Sequence, residues 1–376
     1  MSFVGIENRI KSGETEYLLK TSNDILENHI QNALFKDGVI VNRQIKTYPN
    51  DNGNLNINEL VKNTHIEHKA YIEHLIGFSE NLPESMDNAL WRDRLGMGFY
   101  YLDMLDEAER EFKKAIEYNT EYSQAYNHLG RTMIRIGRYN AAIGYFEIAS
   151  KQRPEYADYY IDLSEAYLKA GRCTNAFESA SKALNINVYF AKAYYNQALA
   201  LLLNSINRED FDLAKDFQIK MKENLTKSFS INPSLKVKEF DKALDYLDQE
   251  RYKEAFDILR DTPSTNGTRE YSEKKLKTYL KLASSSGNLT LDEIREYISY
   301  LEKKLIEFSN YADLHNELGA AYTIYARLIN VRASDHYKKA LEVNPSYKKA
   351  MKNLKITEND DRGTELLLRA VLGTKE

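Results

Sequence analysis

The sequence predicts an all-helical solenoid, a stack of antiparallel helix pairs, and three observations predict it. A pattern of small, aromatic and aliphatic residues returns every 34 positions over a long central stretch. Helix breakers are scarce, with 6 Pro and 16 Gly in 376 residues, and hydrophobic residues make up 43%, enough to bury a core. Within each period the apolar residues recur at three- and four-residue spacing, which puts them on one helix face.

Residues 1–86 lie outside the period. Glu14 to Leu34 reads as an amphipathic helix through Tyr17, Leu18, Ile25, Leu26, Ile30 and Leu34. Gly38 to Tyr48 alternates around Val39, Val41 and Ile45, which predicts a short strand or hairpin. Pro49 to Asn54 reads as a turn-rich loop and Asn58 to Leu82 as a second helix. The segment is expected to be a small helical or α+β extension that caps the solenoid. A separate docking element is the alternative.

The period starts at Ala89. Leu95-Gly96 is followed by Phe99, Ala108, Phe112 and Ala115. One period on stand Leu129-Gly130, Met133, Ala142, Phe146 and Ala149, with Pro154 closing the unit. The next gives Leu163-Ser164, Tyr167, Ala176, Ala180 and Ala183. Gly96, Gly130, Ala108 and Ala142 are small where helix backbones approach. Phe112 and Phe146 fill the space between units. Gly137 and Gly171 are placed to end helices in the left-handed conformation.

Unit four starts at Ala191 and carries extra length near Ser205 to Asp216. Unit five, from Lys236, returns to register with Ala243, Tyr246, Ala255 and Leu259, and Thr262 to Thr268 reads as a loop. Residues 269–309 form a degenerate pair split at Ser284 to Asn288. The last unit, 312–347, has Leu318-Gly319, Tyr322, Ala333, Tyr337, Ala340 and Pro345, with two extra residues between its helices. Lys348 to Lys355 and Thr364 to Leu372 read as closing helices. The expected domains are thus 1–86, 87–262 and 263–376.

These residues resemble the tetratricopeptide-repeat family, whose pattern is an aromatic, then Leu-Gly, Tyr, Ala, Phe, Ala and Pro. The second unit is most similar, with Tyr126, Leu129, Gly130, Ala142, Phe146, Ala149 and Pro154. The resemblance spans roughly 89–347. It implies a right-handed superhelix whose first helices line a concave groove. Carried over position by position, the groove residues are Arg94; Gln124, Asn127, His128, Arg131 and Arg135; Asp158, Asp162 and Glu165; and Lys192, Tyr195 and Asn196. A basic patch from unit two meets an acidic patch from unit three. Exposed helix positions without a task are the alternative. The Lys and Asn set by which some relatives clamp a carboxylate terminus is missing from units one to three.

Other chemistry finds little support. Lys+Arg number 52 and Asp+Glu 56, so no basic excess points to nucleic acid. The single Cys173 excludes an intrachain disulfide and a Cys-based metal site. His65 and His68, three apart on a predicted helix, could share a metal, but a solvated face is the stronger reading. Gly96-Met97-Gly98 follows no strand and lacks the third Gly of a dinucleotide fingerprint. No cofactor is expected. The sequence thus points to a cytoplasmic, non-catalytic scaffold or adaptor that binds a peptide or protein. The regulatory or targeting subunit of an enzyme complex is the first alternative, and RNA binding by a helical array the second.

Overall fold

The computed structural model describes residues 4–24, 26–48, 56–84, 86–260, 266–283, 289–307 and 312–373. Two compact units divide the chain: Met1–Trp91 with Thr268–Glu376, and Arg92–Gly267.

The first unit opens on an antiparallel meander of β1 (Gly5–Ser12), β2 (Thr15–Asp24), β3 (His29–Lys36) and β4 (Val39–Thr47), neighbours in that order. The helix expected over Glu14 to Leu34 is therefore absent, and β2 and β3 stand in its place. The burial explains why. Tyr17, Leu19, Thr21 and Asn23 are all buried, every second residue, as a half-buried strand requires. Two of these four are polar, so the apolar residues alone mimic helical spacing. Asp37 (φ 51°) and Gly38 (φ 78°) supply the paired left-handed residues of the β3–β4 hairpin. The strand expected within Gly38 to Tyr48 is β4. The loop expected at Pro49 to Asn54 falls outside the described residues.

Helix α1 (Ile57–Glu80) starts at Asn56, whose side chain accepts the Glu59 backbone N–H at 3.2 Å. It packs on β1, β2 and β3 and buries Val61, Ile72 and Leu75. Trp91, fully buried, stacks on Phe78 with ring centroids 5.9 Å apart.

The C-terminal part of this unit holds α13 (Asn266–Ala283), α14 (Leu291–Glu307), α15 (Ala312–Val343) and α16 (Lys348–Leu372). Lys277 on α13 lies 4.6 Å from the Tyr71 ring centre on α1, joining the two ends of the chain. Glu317, buried on α15, accepts from Tyr297 Oη (2.8 Å) and Tyr279 Oη (2.9 Å) and pairs with Lys275 (2.6 Å), which ties α13, α14 and α15. The helix pair expected over 312–347 is instead one continuous helix of 32 residues, and the two closing helices are one helix, α16. Residues 284–288, where the degenerate pair was expected to split, fall outside the described residues. Of the loop expected at Thr262 to Thr268, Asn266 to Thr268 begin α13.

The second unit contains the helix pairs. These are α2 (Asn88–Tyr101), from Arg92 onward, with α3 (Leu105–Tyr118); α4 (Ser123–Ile136) with α5 (Tyr139–Gln152); and α6 (Ala157–Lys169) with α7 (Cys173–Ile186). The 34-residue register holds in atomic detail. Leu95, Phe99, Ala108, Phe112 and Ala115 are 0% exposed, as are Leu129, Ala142, Phe146 and Ala149. A Cβ added at Gly96 would meet Phe112 Cε1 at 2.5 Å, and one at Gly130 would meet Phe146 Cε1 at 2.6 Å. Each glycine is thus the floor on which its unit's aromatic ring lies. Gly137 (φ 85°) and Gly171 (φ 78°) are left-handed, as their sequence positions predict.

Unit four is α8 (Ala191–Asn207), the short α9 (Phe211–Ala214) and α10 (Phe217–Ile231). Its extra length is tied back to the preceding turn. Asn207 Nδ2 donates to the Gly171 carbonyl (3.1 Å), Thr174 Oγ1 to Asp210 (3.2 Å), and Asn204 and Asp210 exchange bonds at 2.7 and 2.9 Å. Unit five is α11 (Phe240–Asp248) and α12 (Tyr252–Leu259), with Ala243 and Ala255 fully buried.

Candidate partner-binding groove

The first helices α2, α4, α6 and α8 place the sequence-predicted groove residues in one row. Positions one repeat apart face each other across neighbouring helices, so the polar side chains meet in pairs. Asp93 on α2 and His128 Nδ1 on α4 lie 2.7 Å apart, both buried. Asn127 Nδ2 and Arg131 Nε on α4 both donate to Asp162 Oδ2 on α6, at 2.9 and 2.7 Å. Lys192 Nζ on α8 donates to Glu165 Oε2 on α6 at 2.7 Å. Asn196 Nδ2 reaches the Ile161 carbonyl at 3.4 Å. Arg135 pairs with Asp103 and holds its guanidinium 5.1 Å from the Tyr100 ring centre.

Charges of the row are therefore answered by the neighbouring unit: Arg131 by Asp162 of unit three, Arg135 by Asp103 of unit one, and Glu165 by Lys192 of unit four. Burial opposes the Arg131 charge, but the charge and hydrogen bond of Asp162 more than offset it, and the guanidinium is held protonated even more firmly than usual. Burial likewise works against the Glu165 carboxylate, and Lys192 overcomes it and lowers its pKa. The Glu165–Lys192 pair is about one third exposed, with side chains 33% and 36% accessible, so it remains open to an incoming group.

The predicted residues separate into two kinds. Asp158 and Arg135 are exposed, and Arg94, Arg131, Glu165 and Lys192 are half-buried. Asn127, His128, Asp162 and Asn196 are buried and hold the row together. Tyr195, expected to line the groove, is not open to it. It is 0% exposed, its hydroxyl donates to the Leu259 carbonyl at 2.6 Å, and burial raises its pKa. Sequence reading missed Asp93, Asp103 and Tyr100. The signal for Asp93 was present: it stands 35 residues before His128, as Asn127 stands 35 before Asp162.

The rival sites resolve differently. His65 and His68 lie in the core rather than on a solvated face, 3% and 5% exposed. His65 Nδ1 lies 2.8 Å from Thr21 Oγ1 and Nε2 lies 2.7 Å from Asn8 Oδ1, so both ring nitrogens are engaged by the sheet. Burial lowers the pKa of both histidines. Among the described residues, Asp24, Glu27 and His29 bring ligand atoms within 4.8 Å of one another. Asp24 Oδ1 there already caps the turn through Leu26 N (2.9 Å) and Glu27 N (3.2 Å). The Cys173 thiol is buried beside Glu209 Oε2 (2.8 Å), and burial and that carboxylate push its pKa up to about 12, so it stays protonated at neutral pH.

No family model and no curated protein matches the chain. Solved structures do. A MamA structure is 20% identical over 50% of this chain and 97% of its own, with a TM-score of 0.37. A thermophilic TPR protein in Thermus thermophilus is 17% identical over 62% and 98%, with a TM-score of 0.33. YrrB, described as a TPR protein with an unusual peptide-binding site, is 16% identical over 55% and 98%, with a TM-score of 0.35. Among the described residues no helix is long and apolar enough to cross a membrane.

Proposed function

We propose that the chain is a non-catalytic, cytoplasmic scaffold or adaptor that holds a peptide or protein segment along the row formed by α2, α4, α6 and α8. Arg94, Arg131, Arg135, Asp158, Glu165 and Lys192 are the contacting residues. Asn127, His128, Asp162 and Asn196 act behind them as positioning residues. The observation that carries this reading is the row itself: Arg131, Arg135, Glu165 and Lys192 are accessible charges of both signs, each fixed by a partner from the neighbouring unit. Groups held in place before a ligand arrives lose little entropy when it binds. A row that carries both signs suits a segment of mixed charge. It does not suit RNA, which wants a continuous basic stripe, and Asp158, Asp162 and Glu165 interrupt one.

The test is affinity capture from native cells with mass spectrometry. It compares wild type, an Asp158→Lys/Arg135→Glu variant, and Glu178→Lys on the exposed side of α7 as control. All three should keep their helicity. The row variant should lose partners that the control keeps, and raising salt should weaken capture. Loss in the control with retention in the row variant would move the binding face elsewhere.

A further inference from the structure

The sheet ends in two unlike edges. β1 and β4 are its outer strands, each hydrogen-bonded to a single neighbour in the sheet. An outer strand turns every second N–H and C=O away from the sheet. The β1 edge is polar. Its exposed residues are Gly5, Glu7, Asn8, Arg9 and Lys11. Two of its charges are answered within the sheet, Arg9 by Glu16 at 3.4 Å and Glu7 by Lys20 at 4.0 Å.

The β4 edge is built otherwise. Val39, Ile40 and Ile45 are 66%, 43% and 56% exposed, and β-branched residues of this kind pack best against a neighbouring strand. Arg43 and Lys46 are exposed as well, and among the described residues neither makes an ion pair. The strand carries no acidic residue. A register shift opposite Leu34 and Phe35 interrupts β4 near its start, so the regular stretch that an added strand would follow is 42–47. Side chains alternate along it. Arg43, Ile45 and Thr47 share one face, and Gln44 and Lys46 share the other.

We propose that β4 is a binding site separate from the helix row, and that it takes an extended acidic segment of another protein as a fifth strand. Backbone hydrogen bonds to the edge supply affinity for an extended segment, and the side chains select which segment. Residues directly opposite in paired strands interact, and opposite charges there stabilise the pair. The two cations, three residues apart, therefore call for two acidic residues three apart, with an apolar residue between them against Ile45. A second copy of β4 is a poor occupant. In antiparallel self-pairing centred between Gln44 and Ile45, Arg43 would face the second copy's Lys46, and like charges directly opposite are destabilising.

A fluorescein-labelled Thr-Glu-Val-Val-Glu-Thr peptide is the probe. Its glutamates are three apart whichever way it runs, so both strand directions are sampled. Titrated into the full chain, it should give a saturable rise in anisotropy. Replacing both glutamates by lysine should abolish binding. N-methylation of both valines keeps the charges, removes a donor facing β4, and should abolish it too. Arg43→Glu/Lys46→Glu, at exposed positions, should weaken binding by at least about tenfold with the circular dichroism unchanged. Arg9→Glu/Lys11→Glu makes the same charge reversal on β1 and should leave binding unchanged. Bound peptide should slow amide exchange within 42–47. Absence of binding, or equal binding of the lysine or N-methylated peptide, would overturn the proposal. Protection along α2, α4, α6 and α8 instead of β4 would also overturn it, and would assign the peptide to the helix row. So would a wild-type dimer that Ile45→Lys splits, since a second copy would then fill the edge.

Discussion

Replacing Gly130 by alanine probes the repeat at a single atom. The added Cβ would sit 2.6 Å from Phe146 Cε1 and 2.8 Å from its Cδ1 and Cζ, where ordinary contacts begin near 3.4 Å. Phe146 is fully buried, so its ring cannot swing into solvent. It must move by roughly 1 Å into packed neighbours, and overpacking of this kind costs about 1–3 kcal/mol. Helix propensity favours alanine over glycine by about 0.5–1 kcal/mol and offsets part of that loss. Gly144 supplies the control. It is exposed on α5, nothing lies within 4 Å of its added Cβ, and Gly144→Ala should stabilise the protein by about 0.5–1 kcal/mol. The same chemical change thus acts in opposite directions fourteen residues apart. Urea unfolding followed by circular dichroism measures both, and the double variant Gly130→Ala/Phe146→Leu should recover part of the loss because the residues touch. Equal effects at Gly130 and Gly144 would refute the assigned packing.

Two further perturbations follow from buried polar groups. Asp162→Leu leaves Asn127 and Arg131 without their shared acceptor and should cost about 2–4 kcal/mol by urea unfolding, whereas Asp162→Asn should cost less because it keeps an acceptor oxygen. Burial, with the charges of Lys277 and His65, lowers the pKa of His68 from 6.5 to about 3. Between those values the unfolded chain binds the proton that the folded chain refuses, so stability falls as pH falls, by up to about 1.4 kcal/mol per unit. His68→Leu should flatten that slope, and an unchanged slope in a pH series of melts would place the titration on another group.

The repeats were legible because their chemistry is local and periodic. Gly96 and Phe112, or Gly130 and Phe146, lie sixteen residues apart and recur, so spacing alone reveals the contact. The turn glycines Gly137 and Gly171 were readable for the same reason. The sheet was not, because its inward face is partly polar. Thr21 donates to Asn32 and meets His65, so buried positions on β2 and β3 carry residues that a hydrophobicity pattern reads as outside. The last repeat misled for the opposite reason. Leu318-Gly319, Tyr322 and Tyr337 carry the packing signature, yet the reversal between them depends on a single turn residue, and Ala326 does not supply it. The charges of the row were read as facing a ligand. They face one another first, a consequence of distances between helices that no single period contains.

The pairs that join α2 to α4, α4 to α6 and α6 to α8 also set how the stack comes apart. A column of units held only by apolar faces can fray from either end, each pair detaching with little penalty to the next. Here, opening α6 alone would strand Asn127 and Arg131 on α4 and Lys192 on α8, and the buried Asn127 amide costs about 1–3 kcal/mol when stranded, the half-buried charges less. Loss of one storey therefore weakens the floors above and below it, and the column gains by opening as a block. Amide hydrogens along these four helices should then exchange with a common free energy instead of a gradient from the ends, and a ligand that grips a single step would slow exchange along the whole row.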